Sequence, residues 1–415
     1  MSEQCVVCQH CDHFIAMPTL NCGERAYCPV CHAPVKAPEL CSTQHILAFA
    51  IAAIILLFTS VSFEFVSFAK GGLFHSFSLL SALPTLAENK GTALALLLAL
   101  VIVILPLTLL SIIIIAYSPL WLRLNLIQAR RLTKFLSSLE PWSMTEIFLL
   151  AILISLIKLI SLAEVRFGLS FWSYCAFVCC FVQAMNLLDK QILWERVRPY
   201  RPPNDVNFAL SASSQGFKVC STCGQIAKTS RCPRCHTKLH LRKPASIEKV
   251  LAWLMTSAIL FFPANLLPIM TTTQLHQSTP ATIFSGVVQL WQSGSYPIAT
   301  VIFVASILIP LLKMAAITAL LLQSKRFHHG GSAKYTELYR LIEFIGKWSM
   351  IDVFVVLFLV ALVQLGILMS VNAEIGVLFF ALMVFSQIMT VHYFDPRLIW
   401  DDPKEPYGKS DHYDS

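Results

Sequence analysis

The chain has 415 residues, 56% of them hydrophobic and only 13% charged, with a mean hydropathy of +0.67. Soluble domains are about a quarter charged, so this composition argues against a water-soluble enzyme or binding module and for a membrane protein. The net charge of +8 would suit nucleic acid or an anionic surface, and only its distribution along the chain separates the two.

Residues 1–44 are expected to form a small first domain in which Cys8-x2-Cys11 is followed, sixteen residues on, by Cys28-x2-Cys31. Two such knuckles present four thiolates, the donor set of a closed tetrahedral zinc site. So short a segment buries too little apolar surface to fold without a staple. Iron or a redox dithiol is the less favoured alternative, and a cytosolic location, which keeps thiols reduced, favours metal over disulfides. Cys5-x2-Cys8 is a competing pair; Cys8 and Cys11 are preferred because both heads of the chain then begin alike, and Cys22 and Cys41 look spare.

Eight apolar runs follow at 45–63, 91–117, 145–163, 169–188, 247–270, 296–322, 350–371 and 375–394. A helix of about 20 such residues crosses roughly 30 Å of hydrocarbon. The first run comes after a polar head, which does not fit a cleaved signal peptide. Four runs make a transmembrane domain over 45–200 and four a second over 245–402, with a polar, disordered tail at 403–415. Between the two domains, residues 216–243 hold a second ribbon, Cys220-x2-Cys223 and Cys232-Pro233-Arg234-Cys235. Cys175, Cys179 and Cys180 lie within a span, where thiols behave as small hydrophobes. Short periplasmic strands are expected at 62–68 and 270–276. The fold class is therefore an all-α polytopic membrane protein of two tandem repeats, each a zinc ribbon followed by four transmembrane helices.

Placing the N-terminus in the cytoplasm gives the inside segments 26 Lys/Arg and the outside loops three, Lys70, Lys90 and Arg166. The positive-inside rule then sets both termini and both ribbons cytoplasmic. It also accounts for the basic stretch 190–249, so no nucleic-acid partner is expected. Segments 118–141 and 323–347 mix basic and apolar residues at helical spacing and read as amphipathic helices on the anionic inner surface.

The halves are copies. Trp142-Ser143-Met144 recurs as Trp348-Ser349-Met350, 206 positions on (348 − 142), and at that offset Asp189, Trp194 and Glu195 match Asp395, Trp400 and Asp401. An even number of spans per copy implies a pseudo-twofold along the membrane normal, not an inverted repeat. The second span of each half carries a mid-helix proline, Pro106 or Pro310, and the fifth span adds Pro263 and Pro268. Broken helices at matching places point to a substrate or gating region, although kinks that serve packing alone are as good a reading of any one proline.

Four ionisable residues fall within the spans: Glu146, Lys158, Lys313 and Asp352. Intramembrane charge is costly and is functional by default. Ser143-x-x-Glu146 and Ser349-x-x-Asp352 have the form of capping boxes at the cytoplasmic interface, and Lys158 is near enough to the outer end to snorkel. Lys313 lies about nine residues, roughly 14 Å, inside the sixth span. It has no basic counterpart in the first half and wants an anion, for which Asp352 is nearest in depth. The expected transport core is thus Lys313 and Asp352 with Ser306, Ser349 and Gln387, present in the second half only, with Glu146, Ser143 and Lys158 as weaker first-half equivalents. Such a pair could relay protons or switch conformation.

The doubled ribbon-and-four-span unit, Pro263-Ala264-Asn265-Leu266-Leu267-Pro268-Ile269, Ser293-Gly294-Ser295-Tyr296-Pro297, the run Val304 to Lys313, Gly346-Lys347-Trp348-Ser349-Met350-Ile351-Asp352-Val353-Phe354 and Phe394-Asp395-Pro396-Arg397-Leu398-Ile399-Trp400-Asp401 together resemble the paraquat-inducible protein A family, PqiA and LetA among its branches. The second half is nearest the PqiA branch. The resemblance implies a bacterial inner-membrane protein that works with a periplasmic MCE-domain tunnel protein of the PqiB or LetB kind, in phospholipid trafficking and envelope integrity under stress. It implies no ATPase of its own, in keeping with the lack of a Gly-x4-Gly-Lys-Ser/Thr loop. It implies no enzyme, and no convincing nucleophile–base set is seen. The other reading is a non-transporting, zinc-stapled anchor for the MCE protein; a redox or stress sensor built on the ribbon cysteines ranks below both.

Overall fold

The computed structural model describes residues 4–17, 26–35, 43–70, 73–79, 92–160, 164–203, 206–208, 210–274, 277–292, 294, 296–326, 333–348, 350–362 and 369–401. The N-terminal head is two antiparallel hairpins, β1 (Gln4–Val7) with β2 (Phe14–Met17) and β3 (Ala26–Tyr27) with β4 (Pro34–Val35). Helix α1 (Thr43–Ser62) then opens the first half and leads to β5 (Val66–Lys70) and β6 (Leu73–Phe77). The second span is helix α2 (Thr92–Ala99), a π-helical turn at Leu100–Ile104 and helix α3 (Leu105–Tyr117). Helix α4 (Leu126–Leu139) runs between the second and third spans, and α5 (Thr145–Ile160), β7 (Glu164–Phe167), α6 (Leu169–Asn186) and α7 (Lys190–Val197) complete the half.

The second half repeats this order. After the hairpin of β8 (Lys218–Val219) and β9 (Ile226–Ala227) come α8 (Ser246–Leu266), β10 (Met270–Gln274), β11 (Gln277–Ala281) and α9 (Ile283–Gln292). Helix α10 (Tyr296–Phe303), a π turn at Val304–Leu308 and α11 (Ile309–Arg326) form the broken second span of this half. Helices α12 (Ala333–Trp348) and α13 (Ile351–Leu362), strand β12 (Met369–Ala373) and α14 (Ile375–Tyr393) follow.

The chain is mostly helical but not all helical. Each half folds its strands into one three-stranded antiparallel sheet, β6-β5-β7 and β11-β10-β12, beyond the ends of its first span. The sequence predicts strands at 62–68 and 270–276; β7 and β12 adjoin or overlap apolar runs, and β6 and β11 lie in the loops after the first span of each half. Residues 369–371, expected as the end of a helix, belong to β12, which pairs Thr272 with Val371. Seven segments among the described residues are long and apolar enough to cross a membrane. The eighth expected span, 350–371, is described as helix over Ile351–Leu362, and residues 363–368 lie outside the described residues, as does the expected tail at 403–415.

Both prolines of the broken spans sit just past a π turn. The Leu105 amide reaches back five residues to the Leu100 carbonyl, and Ile309 to Val304. Proline has no amide hydrogen and its ring crowds the carbonyl four residues earlier. A wider turn ahead of it relieves that crowding, and π turns inside helices concentrate at functional places.

Within each half the first and fourth spans run along one another, α1 on α6 and α8 on α14. The halves meet through their third spans, α5 on α13. At that seam the repeat-equivalent rings of Phe148 and Phe354 (354 − 148 = 206) meet edge to face at 5.6 Å, and the Ser155 hydroxyl donates to the Val355 carbonyl at 3.4 Å. Contact between equivalent residues is what an isologous interface requires. Phe358 extends the seam to Phe65 and Phe77 of the first half.

Candidate functional site

Four knuckles of the same shape carry the cysteines. In each, the amide of the first Cys donates at 2.9 Å to the carbonyl five residues on: Cys8 to His13, Cys28 to Ala33, Cys220 to Gln225 and Cys232 to Thr237. The residue after the second Cys is left-handed, with φ of 63° at Asp12, 54° at His32, 71° at Gly224 and 61° at His236. That turn aims both thiols of a knuckle to one side, and facing knuckles bring four together. The Sγ atoms of Cys8, Cys11, Cys28 and Cys31 all lie within 4.8 Å of one another, as do those of Cys220, Cys223, Cys232 and Cys235.

Cross-knuckle separations are 3.5 Å for Cys8–Cys31 and for Cys11–Cys28, 3.3 Å for Cys220–Cys235 and 3.4 Å for Cys223–Cys232. A tetrahedron with metal–sulfur bonds of about 2.3 Å has edges of about 3.8 Å, so the buried thiols are nearly in place for a metal ion. Hydrogen bonds from Cys11 and Cys8 pull Cys31 down to about 4, and those from Cys220 and Cys223 pull Cys232 down to about 6. The same shared hydrogen bonds push Cys11 and Cys223 up, so each cluster divides its protons unequally among its sulfurs, and the thiolate is the form that binds metal. Cys5 is buried outside the cluster, its carbonyl accepting from the Tyr200 hydroxyl at 2.7 Å.

The ribbons do not sit where chain order suggests. The second rests on the first half: Trp194, 1% exposed, packs among its four cysteines with Ala129 and Val197. Arg234, between Cys232 and Cys235, reaches Glu195 at 3.1 Å. The first ribbon crosses to the tail of the second half, where Trp400 packs against it and His10 lies 6.2 Å from the Tyr339 ring. Asp12, beside Cys11, accepts from Arg242 at 3.0 Å, and Arg242 also donates to Asp401 at 2.9 Å. Trp194 and Trp400, and Glu195 and Asp401, are the repeat-equivalent pairs seen in the sequence. There they showed only the duplication; in the structure they are the seats of the two ribbons.

That ion cluster beside the first ribbon is largely buried. Arg397 bonds Asp395 at 3.0 Å and lies 3.7 Å from Asp12. Burial pushes the Asp395 carboxyl up, but the hydrogen bonds and charge of Arg397 outweigh it and hold the group below its usual range. Burial likewise opposes the charge on Arg242, and Asp401 and Asp12 reverse that. Asp395 also accepts from the Lys243 amide at 3.0 Å, so the cluster ties the first ribbon to both ends of the second transmembrane half.

Within the second half, Lys313 is 4% exposed, one turn past Pro310, and Ser306 is buried in the π turn. Gln387 joins them: its amide donates to the Pro310 carbonyl at 3.4 Å, and its buried Oε1 has no hydrogen-bond partner among the described residues. Asp352 is the second residue of α13, which packs, like α11, against the Gln387 helix α14. The Asp352 side chain and Ser349 lie outside what the structure describes. In the first half Glu146 is exposed at the start of α5, and the side chain of Lys158 is likewise not described. Met144, whose carbonyl accepts from the Phe148 amide at 3.0 Å, caps α5, one residue later than a Ser143 capping box requires.

The family model for paraquat-inducible protein A matches residues 43–198 and 247–404, more than half of the chain and once per half. The chain belongs to the paraquat-inducible protein A family. It is 36% identical over 405 residues, 96% of each chain, to the Escherichia coli K12 protein named intermembrane transport protein PqiA. It is 28% identical to lipophilic envelope-spanning tunnel protein A of the same strain, over 95% of this chain and 90% of that one. A probable intermembrane transport protein of Haemophilus influenzae is 26% identical over 95% of both. No solved structure matches. This is a multi-pass membrane protein of two repeats with two buried four-cysteine clusters, and its relatives are named as transport proteins, not enzymes.

Proposed function

We propose that the protein is the inner-membrane component of an intermembrane lipid-transport system, passing phospholipid between its bilayer and a periplasmic MCE-domain tunnel protein. The observation that carries this reading is kinship over 96% of both chains with a protein named for intermembrane transport. The buried Lys313, Ser306 and Gln387 around the broken sixth span support it, because they put polar groups inside a helix bundle. Both termini and both ribbons are cytoplasmic in this reading, and the Lys313–Asp352 charges couple a proton to the conformational change.

The eight cysteines hold two structural zinc ions. Closed four-thiolate sites leave no open coordination position, so the metal supplies folding energy, and Cys8, Cys11, Cys28, Cys31, Cys220, Cys223, Cys232 and Cys235 do no chemistry on lipid. Metal content of the purified protein decides between zinc and iron.

Photocrosslinking amino acids placed along spans five to eight in cells test the transport path. Capture of phospholipid by residues facing Pro310 and Lys313 is expected. Capture confined to bilayer-facing positions would favour the second reading, a zinc-stapled anchor for the MCE protein, for which the docking of each ribbon on a transmembrane half speaks. Full transport by both Lys313→Ala and Asp352→Asn would remove the proton coupling.

A further inference from the structure

Helix α9 (Ile283–Gln292) belongs to neither a span nor a ribbon. It lies between β11 and the start of the broken sixth span, packs against α8 and α10, and follows the end of α8 away from the second ribbon. Its start is fixed by a reciprocal pair of bonds, the Ser285 amide to the Thr282 hydroxyl at 3.1 Å and the Thr282 amide to the Ser285 hydroxyl at 2.8 Å.

One broad apolar stripe runs along it, and the protein covers only one edge of that stripe. Ile283 and Val287 are buried, whereas Phe284 is 59%, Val288 38% and Trp291 53% exposed. Ser285 and Gln289 occupy the polar side of the helix, with Gln292 at its border next to Val288. The uncovered edge continues onto the neighbouring spans through exposed Leu266 and Tyr296, and Trp291 meets Tyr296 edge to face at 5.1 Å. Tryptophan and tyrosine favour the level of lipid headgroups.

Charge separates this loop from its counterpart. Between Lys249 and Lys313 the chain has no Asp, Glu, Lys or Arg, although the stretch includes two strands and a helix outside the spans. The matching loop of the first half carries Glu64, Lys70, Glu88 and Lys90. A loop bathed in water has no reason to avoid charge over such a length, whereas a segment lowered into the headgroup and acyl boundary pays for every one.

We propose that α9 is an interfacial helix seated in the bilayer leaflet opposite the ribbons, with Phe284, Val288 and Trp291 among the upper acyl chains and Ser285 and Gln289 towards water. The occupant of the exposed face is a lipid surface. An amphipathic helix of this kind lies in the interfacial plane about 5–10 Å deep. It borders the start of the broken span at Tyr296.

The test uses the full chain in vesicles of phosphatidylethanolamine and phosphatidylglycerol, with or without a phospholipid brominated on its acyl chain. The emission of Trp291 is taken as the difference between the protein and its Trp291→Phe variant, a conservative change that keeps an aromatic ring. The expected result is a blue-shifted component that loses most of its intensity to brominated lipid and little to iodide in the buffer. Val288→Asp, on the same face, should red-shift that component and open it to iodide, and Gln289→Asp, on the opposite face, should leave it unchanged. Quenching by iodide and not by brominated lipid in the native chain would overturn the proposal and mark the face as one held for a protein partner. Equal effects of the two aspartates would overturn it as well, since a helix immersed or exposed on all sides has no lipid-facing edge.

Discussion

Two glycines fix how closely each half can close. The Gly168 amide donates to the Phe65 carbonyl at 3.0 Å and the Gly376 amide to the Pro268 carbonyl at 3.1 Å, where the fourth span starts beside the loop leaving the first. A Cβ would stand 2.1 Å from the Glu64 carbonyl oxygen at Gly168 and 2.4 Å from that of Pro268 at Gly376. Backbone cannot swing aside as a side chain can, so Gly168→Ala and Gly376→Ala should each cost about 1–3 kcal/mol, the usual scale of overpacking. Gly286→Ala, with open space around it, is the matched control, and thermal unfolding in detergent reads all three. Asp395 gives a pH prediction of definite sign. Arg397 depresses its folded-state carboxyl pKa, so its contribution is complete above the unfolded value of about 3.9 and is lost as pH falls through the lower folded value. Melting temperature should therefore drop on the acid side, and Asp395→Asn should flatten that drop while lowering stability at neutral pH. The cysteine clusters, and Lys313 as a basic residue type deep in a span, were readable from residue type and spacing. Asp12 and Arg242 were not, because nothing local marks two residues 230 positions apart as an ion pair.

At the scale of elements, periodicity and length were enough for seven apolar spans and for the amphipathic α4 and α12, since each must bury or expose an apolar surface of fixed size. They were not enough for the short helices α7 and α9, or for what happens at helix ends. Residues 369–371 look like the end of a span until β10 is there to pair with them, and strand pairing is a long-range fact. The π turns were foreshadowed only by Pro106 and Pro310, which announce a break without its form. The seam was a matter of symmetry: the duplication implied a twofold axis, and the structure puts Phe148 and Phe354 on it. Truncating either ring should cost about 3–5 kcal/mol as a large buried aromatic. Because the two rings touch, Phe148→Ala and Phe354→Ala should not add, and a double-mutant cycle should return a coupling of about 0.5–1.5 kcal/mol for an edge-to-face pair. Additive losses would mean that each ring serves only its own half.

For the whole molecule, the exchange of ribbon seats changes what the metal clusters stabilise. A ribbon attached only to its own half could unfold without consequence elsewhere. Here Asp12 stands next to Cys11 and holds Arg242, which holds Asp401, while Arg397 joins Asp12 to Asp395 at the end of the last span. Breaking a buried ion network by removing one partner strands the others, and Arg242→Met should cost about 3–5 kcal/mol by leaving Asp401 without its cation and Asp12 with only Arg397 at 3.7 Å. Metal loss at the first ribbon should act through the same contacts. The knuckle that aims Cys11 also sets the left-handed turn at Asp12, so releasing the thiols frees the carboxylate from its position. In a Cys28→Ser/Cys31→Ser variant the metal content should fall to that of the second cluster alone. Hydrogen exchange should rise over residues 4–35 and also over 242–246 and 394–400, which belong to the other half and bind no metal. Exchange confined to the first ribbon would show it to be a passenger on the second half, whereas spread to the far segments would make it the clasp that closes the duplicated fold.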